Sequence, residues 1–289
     1  MLFYFSRRKF KGQVSSHGGT HYLRIVSLAG DKQNGQFINQ DQWASEVVKA
    51  ADNAGVMVFV HGYNTSNAEF VERLVKVDHA FRVAGFKGVV IGYEWPSNDD
   101  FLKYKDDRAA AIDAAPHLIK DGLLLLSEKD PELKISLLGH SMGAFVITEA
   151  FARVGTIPIN GIFRPIVDKA VFVAADIETN KLRKKRRASR AIHIGCNRLV
   201  HYHCNTDRVL DLSGKIINIG TKRSGRHGIV GNKSTRITDI DCTAYYKRRY
   251  KSKGQDRLLW SHNWYFDDAW FSRNVVDVLM NKHPPQKQS

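Results

Sequence analysis

Five short apolar runs rich in β-branched and aromatic residues punctuate the chain: Val56–Val60, Val89–Ile91, Ile135–Leu138, Ala170–Ala174 and Leu199–His203. Most lack strict in-out alternation, as strands buried on both faces do. Segments with helical features separate them. Trp43–Ala50 precedes the first run, Ala68–Ala84 follows it, Arg108–Leu126 follows the second and Met142–Val154 the third. Alternating strands and helices predict a mostly parallel central sheet flanked by helices, an α/β architecture. Tyr22–Leu28 reads as an earlier strand, Arg236–Ile240 as a late one, and Asp267–Met280 as a final amphipathic helix.

No linker rich in Pro, Ser or Gly divides the 289 residues, and no internal repeat is visible. The expectation is therefore a single domain over residues 1–289, best supported over about 40–281, with 1–20 and 284–289 peripheral. At 43% hydrophobic and 25% charged residues the chain can bury a sizeable core. That excludes a disordered, collagenous or disulfide-scaffolded protein. No apolar run approaches the roughly 18 residues of a membrane span. The apolar Met1–Phe5 is followed, not preceded, by the basic Arg7, Arg8 and Lys9, the reverse of a signal peptide, so a cytoplasmic address is expected. Cys196, Cys204 and Cys242 contain no Cys-x-x-Cys pair and read as buried free thiols.

The sharpest chemical signal is Gly139-His140-Ser141-Met142-Gly143, a G-x-S-x-G where a buried strand meets an apolar helix. A serine nucleophile on such a strained turn needs small flanking residues, since a side chain there would strike the adjoining strand or helix. The helix also points its N-terminus at the site, where it favours developing negative charge. Upstream, Phe59-Val60-His61-Gly62-Tyr63-Asn64 ends another buried strand. Acyl transfer requires two backbone donors on the oxyanion, and the amides of Tyr63 and Met142 are the candidates.

A serine also needs a base, and the base an acid, in the chain order Ser, acid, His. Asp207 lies just after the Leu199–His203 strand, with Asp176 and Asp211 as rivals. His262 falls between the last strand and the last helix, whereas His227 precedes that strand and His283 lies in the polar tail. The expected trio is Ser141, Asp207 and His262, with no cofactor. His201 and His203 share a strand face, but no accompanying ligand set makes His193 or any other residue complete a metal site, so packing is the reading for them.

With those residues in place, the chain resembles the α/β-hydrolase superfamily and, within it, a bacterial esterase/lipase-like group of unknown function. Besides the elbow, the likeness includes Val58–Asn64, Tyr93–Ser97, Ala174–Glu178, Asn205–Ser213 and Ser261–Trp264, spread over residues 40–281. It implies the α/β-hydrolase fold and matches Ser141, Asp207 and His262 to nucleophile, acid and base. Two departures stand out: Ala175 replaces a usual proline, and the group's Gly-His-Ser-Tyr reads Ser-His-Asn-Trp here, which bears on substrate shape near Asn263 and Trp264. The likeness implies that Trp95 and Pro96 form a wall beside the site.

Charge adds a second theme. Of the 44 Lys and Arg and 29 Asp and Glu, 17 and 17 fall in residues 1–144, which leaves 27 and 12 for 145–289. Lys181–Arg190 holds seven basic residues, read as a basic helix, and Lys247–Lys253 interleaves five with Tyr250 behind Tyr245 and Tyr246. Both runs are expected at the C-terminal rim of the sheet, where ligands bind in open α/β folds. An anionic ester or lipid headgroup is one expected partner; a non-catalytic scaffold holding nucleic acid or an anionic membrane is the alternative. The short connection between Ala174 and Arg198 leaves little or no room for a lid domain, and a comparatively open site is expected, with at most a small lid from 245–260.

Overall fold

The computed structural model describes all residues except 12, 14–18, 27–34, 99, 101–102, 155–157, 160–161, 215–219, 233, 252–256 and 283–289. The strands are β1 Leu2–Ser6, β2 His21–Ile25, β3 Gly35–Ile38, β4 Val56–Val60, β5 Val89–Glu94, β6 Ile135–His140, the short pair β7 Pro158–Ile159 and β8 Ile162–Phe163, β9 Val167–Val173, β10 Cys196–His203 and β11 Ile237–Asp241. The helices are α1 Gln40–Ala51, α2 Asn67–Val83, α3 Tyr104–His117, α4 Leu124–Lys129, α5 Met142–Val154, α6 Arg187–Gly195, α7 Arg208–Leu212, α8 Ser224–His227, α9 Thr243–Arg249, α10 Trp260–Asn263 and α11 Ala269–Leu279. Nine strands form one sheet in the order β11-β10-β9-β6-β4-β5-β1-β2-β3. From β11 to β1 every pairing is parallel; β2 and β3 extend the sheet antiparallel.

The two-residue period of a strand divides the core. In β4, Val56, Val58 and Val60 face one cluster while Met57 and Phe59 face the other. The first cluster is closed by Trp43 and Val47 of α1, by α3, by Phe145 to Phe151 of α5 and by Ile192 of α6. Phe70, Leu74 and Val77 of α2, Tyr246 of α9 and Val275 of α11 close the second. Both faces are covered, which is why the central strands read as unbroken apolar runs rather than alternating ones.

The N-terminus corrects the expectation that residues 1–20 are peripheral. β1 lies inside the sheet, between β5 and β2, with Leu2, Phe3, Tyr4 and Phe5 all buried. Each large side chain buried there contributes about 1.5–3 kcal/mol, enough to fix a five-residue segment that sequence alone leaves unanchored. Gly122 shows how close the packing is, since a Cβ on it would sit 2.2 Å from the Phe5 ring. The predicted Arg108–Leu126 helix is real but not uniform: Pro116 lies inside α3, and Leu118–Leu123 form a π-helical turn before α4. Pro removes a backbone donor from the helical ladder.

The expected basic helix over Lys181–Arg190 is also revised. Thr179–Leu182 is a 3-10 turn, Lys185 takes a positive φ of 70°, and α6 begins only at Arg187. Successive like charges oppose helix formation, and regular helix starts where Ala191 and Ile192 offer an apolar face. Among the described residues no helix is long and apolar enough to cross a membrane.

Candidate active site

Ser141 stands at the junction of β6 and α5 with φ 54°, a left-handed conformation that a non-glycine residue holds only when its surroundings impose it. Three backbone bonds impose it here. The Ser141 amide donates to Val173 O at 2.9 Å, and the Ser141 carbonyl accepts from Ala144 N at 3.2 Å and Asp176 N at 3.0 Å. Both motif glycines are sterically required. A Cβ on Gly139 would lie 2.8 Å from the Ala144 backbone, and one on Gly143 would lie 2.1 Å from Val60 O. Gly143→Ala is therefore expected to push α5 off β4, costing about 1–3 kcal/mol and most of any turnover. Thermal unfolding and ester assays check this; wild-type values for both would contradict the contact.

The loop after β4 is anchored by His61, a wholly buried residue. Its Nδ1 lies 2.7 Å from Gly62 O, and its Nε2 lies 3.2 Å from the Trp95 amide nitrogen and 3.1 Å from the Trp95 carbonyl oxygen. Nδ1 faces only a carbonyl and so carries a proton, which in the neutral ring leaves Nε2 to accept the Trp95 amide. The Trp95 indole stacks on the imidazole at 5.1 Å and donates Nε1–H to His61 O at 2.9 Å. Trp95 is thus wholly buried and does not reach the cleft, contrary to the wall expected of it; it supports the loop that carries Gly62 and Tyr63. Met142, the other oxyanion candidate, is the first residue of α5, where N–H groups have no partner within the helix.

Burial lowers the His61 pKa to about 3. Between about pH 3 and the ordinary 6.5 the unfolded chain binds a proton that the folded chain refuses, so stability falls as pH drops through that window. His61→Gln is expected to shallow the acid-side fall of Tm, measured as Tm against pH. An unchanged slope would show that His61 is not held neutral.

His262 and Asp207 form the expected pair. His262 Nδ1 lies 2.7 Å from Asp207 Oδ2, and both side chains are buried. Asp207 is the N-cap of α7, with Oδ1 accepting the Leu210 amide at 2.9 Å, while Arg226 Nη1 donates to its carbonyl at 2.6 Å. The rival acids are occupied elsewhere. Asp176 accepts the Tyr104 hydroxyl at 2.6 Å and pairs with Arg223 at 3.2 Å; Asp211 pairs with Arg226 at 3.2 Å. His227 lies on α8, outside the cleft, and His283 falls outside the described residues.

Ser141, His262, Gly62 and Tyr63 line one cleft of about 140 Å³ with His140, Arg73 and Asn263; Val209, Leu212, Leu258 and Leu259 give it an apolar lip. The Ser141 hydroxyl makes no hydrogen bond among the described residues, which leaves it open to an incoming group. Of the Ser-His-Asn-Trp segment, Asn263 reaches the cleft, whereas Trp264 is buried core.

Two cleft residues escaped the sequence reading. His140, the variable position of G-x-S-x-G, packs its ring 4.7 Å from His262 and 4.9 Å from Phe266. Burial, reinforced by His262, holds its pKa well below the ordinary value. Arg73 was legible as a basic residue on the apolar face of α2, one turn from both Phe70 and Val77.

The remaining histidines and basic runs separate from this cleft. His201 Nδ1 pairs with Asp239 at 2.6 Å, and Asp239 also takes the Ile229 amide at 2.8 Å. No cluster fit for a metal ion occurs among the described residues. Lys184, Lys185 and Arg190 line a groove with His193, Asn232 and Ser234 that shares no residue with the Ser141 cleft, so this run does not frame the site. In the second run Tyr246 and Tyr250 are buried against Trp264, and the Tyr245 and Tyr250 hydroxyls bond Asp268. The half-buried Tyr245 packs on Trp264 and Trp270, so the three rings serve the core more than the surface; Lys253 lies outside the described residues.

A mostly parallel, helix-covered sheet with a strained serine at a strand-to-helix turn defines an α/β hydrolase. The chain belongs to the family of alpha/beta hydrolases of unknown function known as DUF900, whose pattern matches residues 37–236. It is 31% identical over 75 residues to the uncharacterized protein alr1448 of Nostoc sp. (strain PCC 7120), a match covering 26% of this chain and 18% of that relative's length. Among solved structures it is similar to a Lactobacillus plantarum WCFS1 protein provisionally described as a cell surface hydrolase, at 15% identity and TM-score 0.43 over 78% of this chain and 90% of that one. It is also similar to acyl-protein thioesterase 2 of Zea mays, at 17% identity and TM-score 0.34 over 64% and 82%. Trichoderma reesei cutinase aligns at 11% identity and TM-score 0.35 over 83% and 88%.

Proposed function

We propose that the protein is a serine hydrolase that cleaves carboxylic esters through an acyl-enzyme. One observation carries the reading: Ser141, held at positive φ on the elbow, shares its cleft with His262, whose far nitrogen is bound to the buried Asp207. In this mechanism Ser141 Oγ attacks the ester carbonyl as His262 Nε2 takes its proton. Asp207 fixes the proton of the resting imidazole on Nδ1 and stabilises the imidazolium. The amides of Tyr63 and Met142 receive the oxyanion. His262 then protonates the departing alcohol, and a water activated by the same imidazole releases the acid.

The small cleft and its lip of Val209, Leu212, Leu258 and Leu259 suit short acyl chains. Turnover of p-nitrophenyl acetate, butyrate, octanoate and palmitate tests the reading. Hydrolysis of the short esters, falling with chain length, is expected; a folded protein that turns over none of them would contradict it.

A further inference from the structure

Three cations of the first basic run gather in a concavity without a counter-ion. Lys184, Lys185 and Arg190 line the groove beside α6, about 810 Å³ in volume, and none of its lining residues carries a carboxylate. Their side chains make no ion pair or hydrogen bond among the described residues. The paired cations of the same run lie outside the groove: Lys181 meets Glu178 at 3.3 Å, and Arg187 meets Glu149 at 3.2 Å. Like charges in a recess with no opposite charge create a positive potential that an anion relieves.

The walls of the groove are tied to one another. Asn232 Nδ2 donates to Leu182 O at 3.0 Å and to Oγ of the buried Ser189 at 2.9 Å, which fastens the segment before β11 to α6. The Lys184 amide donates to Gly231 O at 3.3 Å, and His193 Nε2 lies 2.9 Å from Ser234 Oγ. Adjacent side chains of an extended chain point to opposite sides. The left-handed backbone at Lys185, with φ 70°, turns the chain there, and both lysines line the same groove. The volume falls in the range of roughly 300–1,000 Å³ typical of small-molecule sites. No lining residue is aromatic, so the bases of a single strand would find no stacking platform. A flat bilayer meets projecting groups, not a recess. Ammonium groups and a guanidinium fork both suit phosphate oxygens. We propose that this groove binds a small phosphorylated molecule, with Lys184, Lys185 and Arg190 holding its phosphate or diphosphate group. The groove shares no residue with the Ser141 cleft, and the assignment stands whether or not that serine cleaves esters.

Calorimetric titration of the full chain with inorganic pyrophosphate, at about 100 mM salt to screen long-range attraction, tests the site. Wild type is expected to bind, and Lys184→Gln/Lys185→Gln/Arg190→Gln to bind at least about tenfold more weakly. Lys247→Gln/Arg249→Gln/Lys251→Gln removes the same charge from exposed positions outside the groove and should bind as wild type does. All six side chains are exposed, so both variants should keep the wild-type Tm. If the groove variant does not fold, Arg190→Gln alone gives the same comparison. Absence of pyrophosphate binding by the wild type would overturn the assignment. Equal weakening in the two triple variants would do so as well, since net charge alone would then be responsible. A thymidine oligonucleotide and phosphatidylserine vesicles complete the test. Groove-dependent binding to either that is at least about tenfold tighter than to pyrophosphate would make the groove a macromolecular contact, and so overturn the small-molecule assignment.

Discussion

Ser141→Ala is expected to lower kcat for p-nitrophenyl butyrate by roughly four to six orders of magnitude while leaving the fold intact. The other hydroxyls lining the cleft are poor substitutes: Thr65 Oγ1 is bonded to the Gly62 and Tyr63 carbonyls at 3.2 Å, and burial pushes the Tyr63 phenol up. The three cysteines are buried and do not line the cleft, with the Cys204 thiol pushed up to about 11 and Cys196 to about 12 by burial. Stability should change little. The positive φ at position 141 penalises alanine and serine alike, and the backbone bonds to Val173, Ala144 and Asp176 do not involve the hydroxyl. Matched Tm values with a collapsed kcat are the signature of a lost nucleophile; comparable turnover by the variant would place the chemistry elsewhere.

The second large effect separates Asp207 from its rival. Asp207→Asn keeps an oxygen for the α7 cap but cannot both fix the imidazole tautomer and stabilise its charge, so kcat should fall by roughly a thousandfold to ten-thousandfold. Asp176→Asn should do something different. It leaves the His262 pair untouched but strips Arg223 of its buried carboxylate, a loss on the order of 3–5 kcal/mol in stability. Parallel kcat and Tm measurements distinguish the two. Full activity in Asp207→Asn, with loss in Asp176→Asn at unchanged Tm, would exchange their roles.

Much of this arrangement was legible in the chain because the fold orders its parts. Buried strands announce themselves as apolar runs, and each chemical residue lies just past the end of one: Tyr63 after β4, Ser141 after β6, Asp207 after β10. Chain order then chose His262 over His227 and His283 without any distance. The errors share a cause as well. β1 is anchored by contacts with β5 and with Gly122, distant in sequence, that no local pattern encodes. Trp95 and the three tyrosines advertise binding surface in sequence, yet large apolar rings gain most from burial, and the structure spends them on His61 and Trp264.

Labelling of the folded protein with a fluorophosphonate, followed by mapping of the modified peptide, tests the central claim most directly. Activated serine is the one group in this arrangement expected to react. The account predicts a single adduct on Ser141, absent from Ser141→Ala. A folded wild type that remains unmodified, or a variant modified to the same extent, would contradict it.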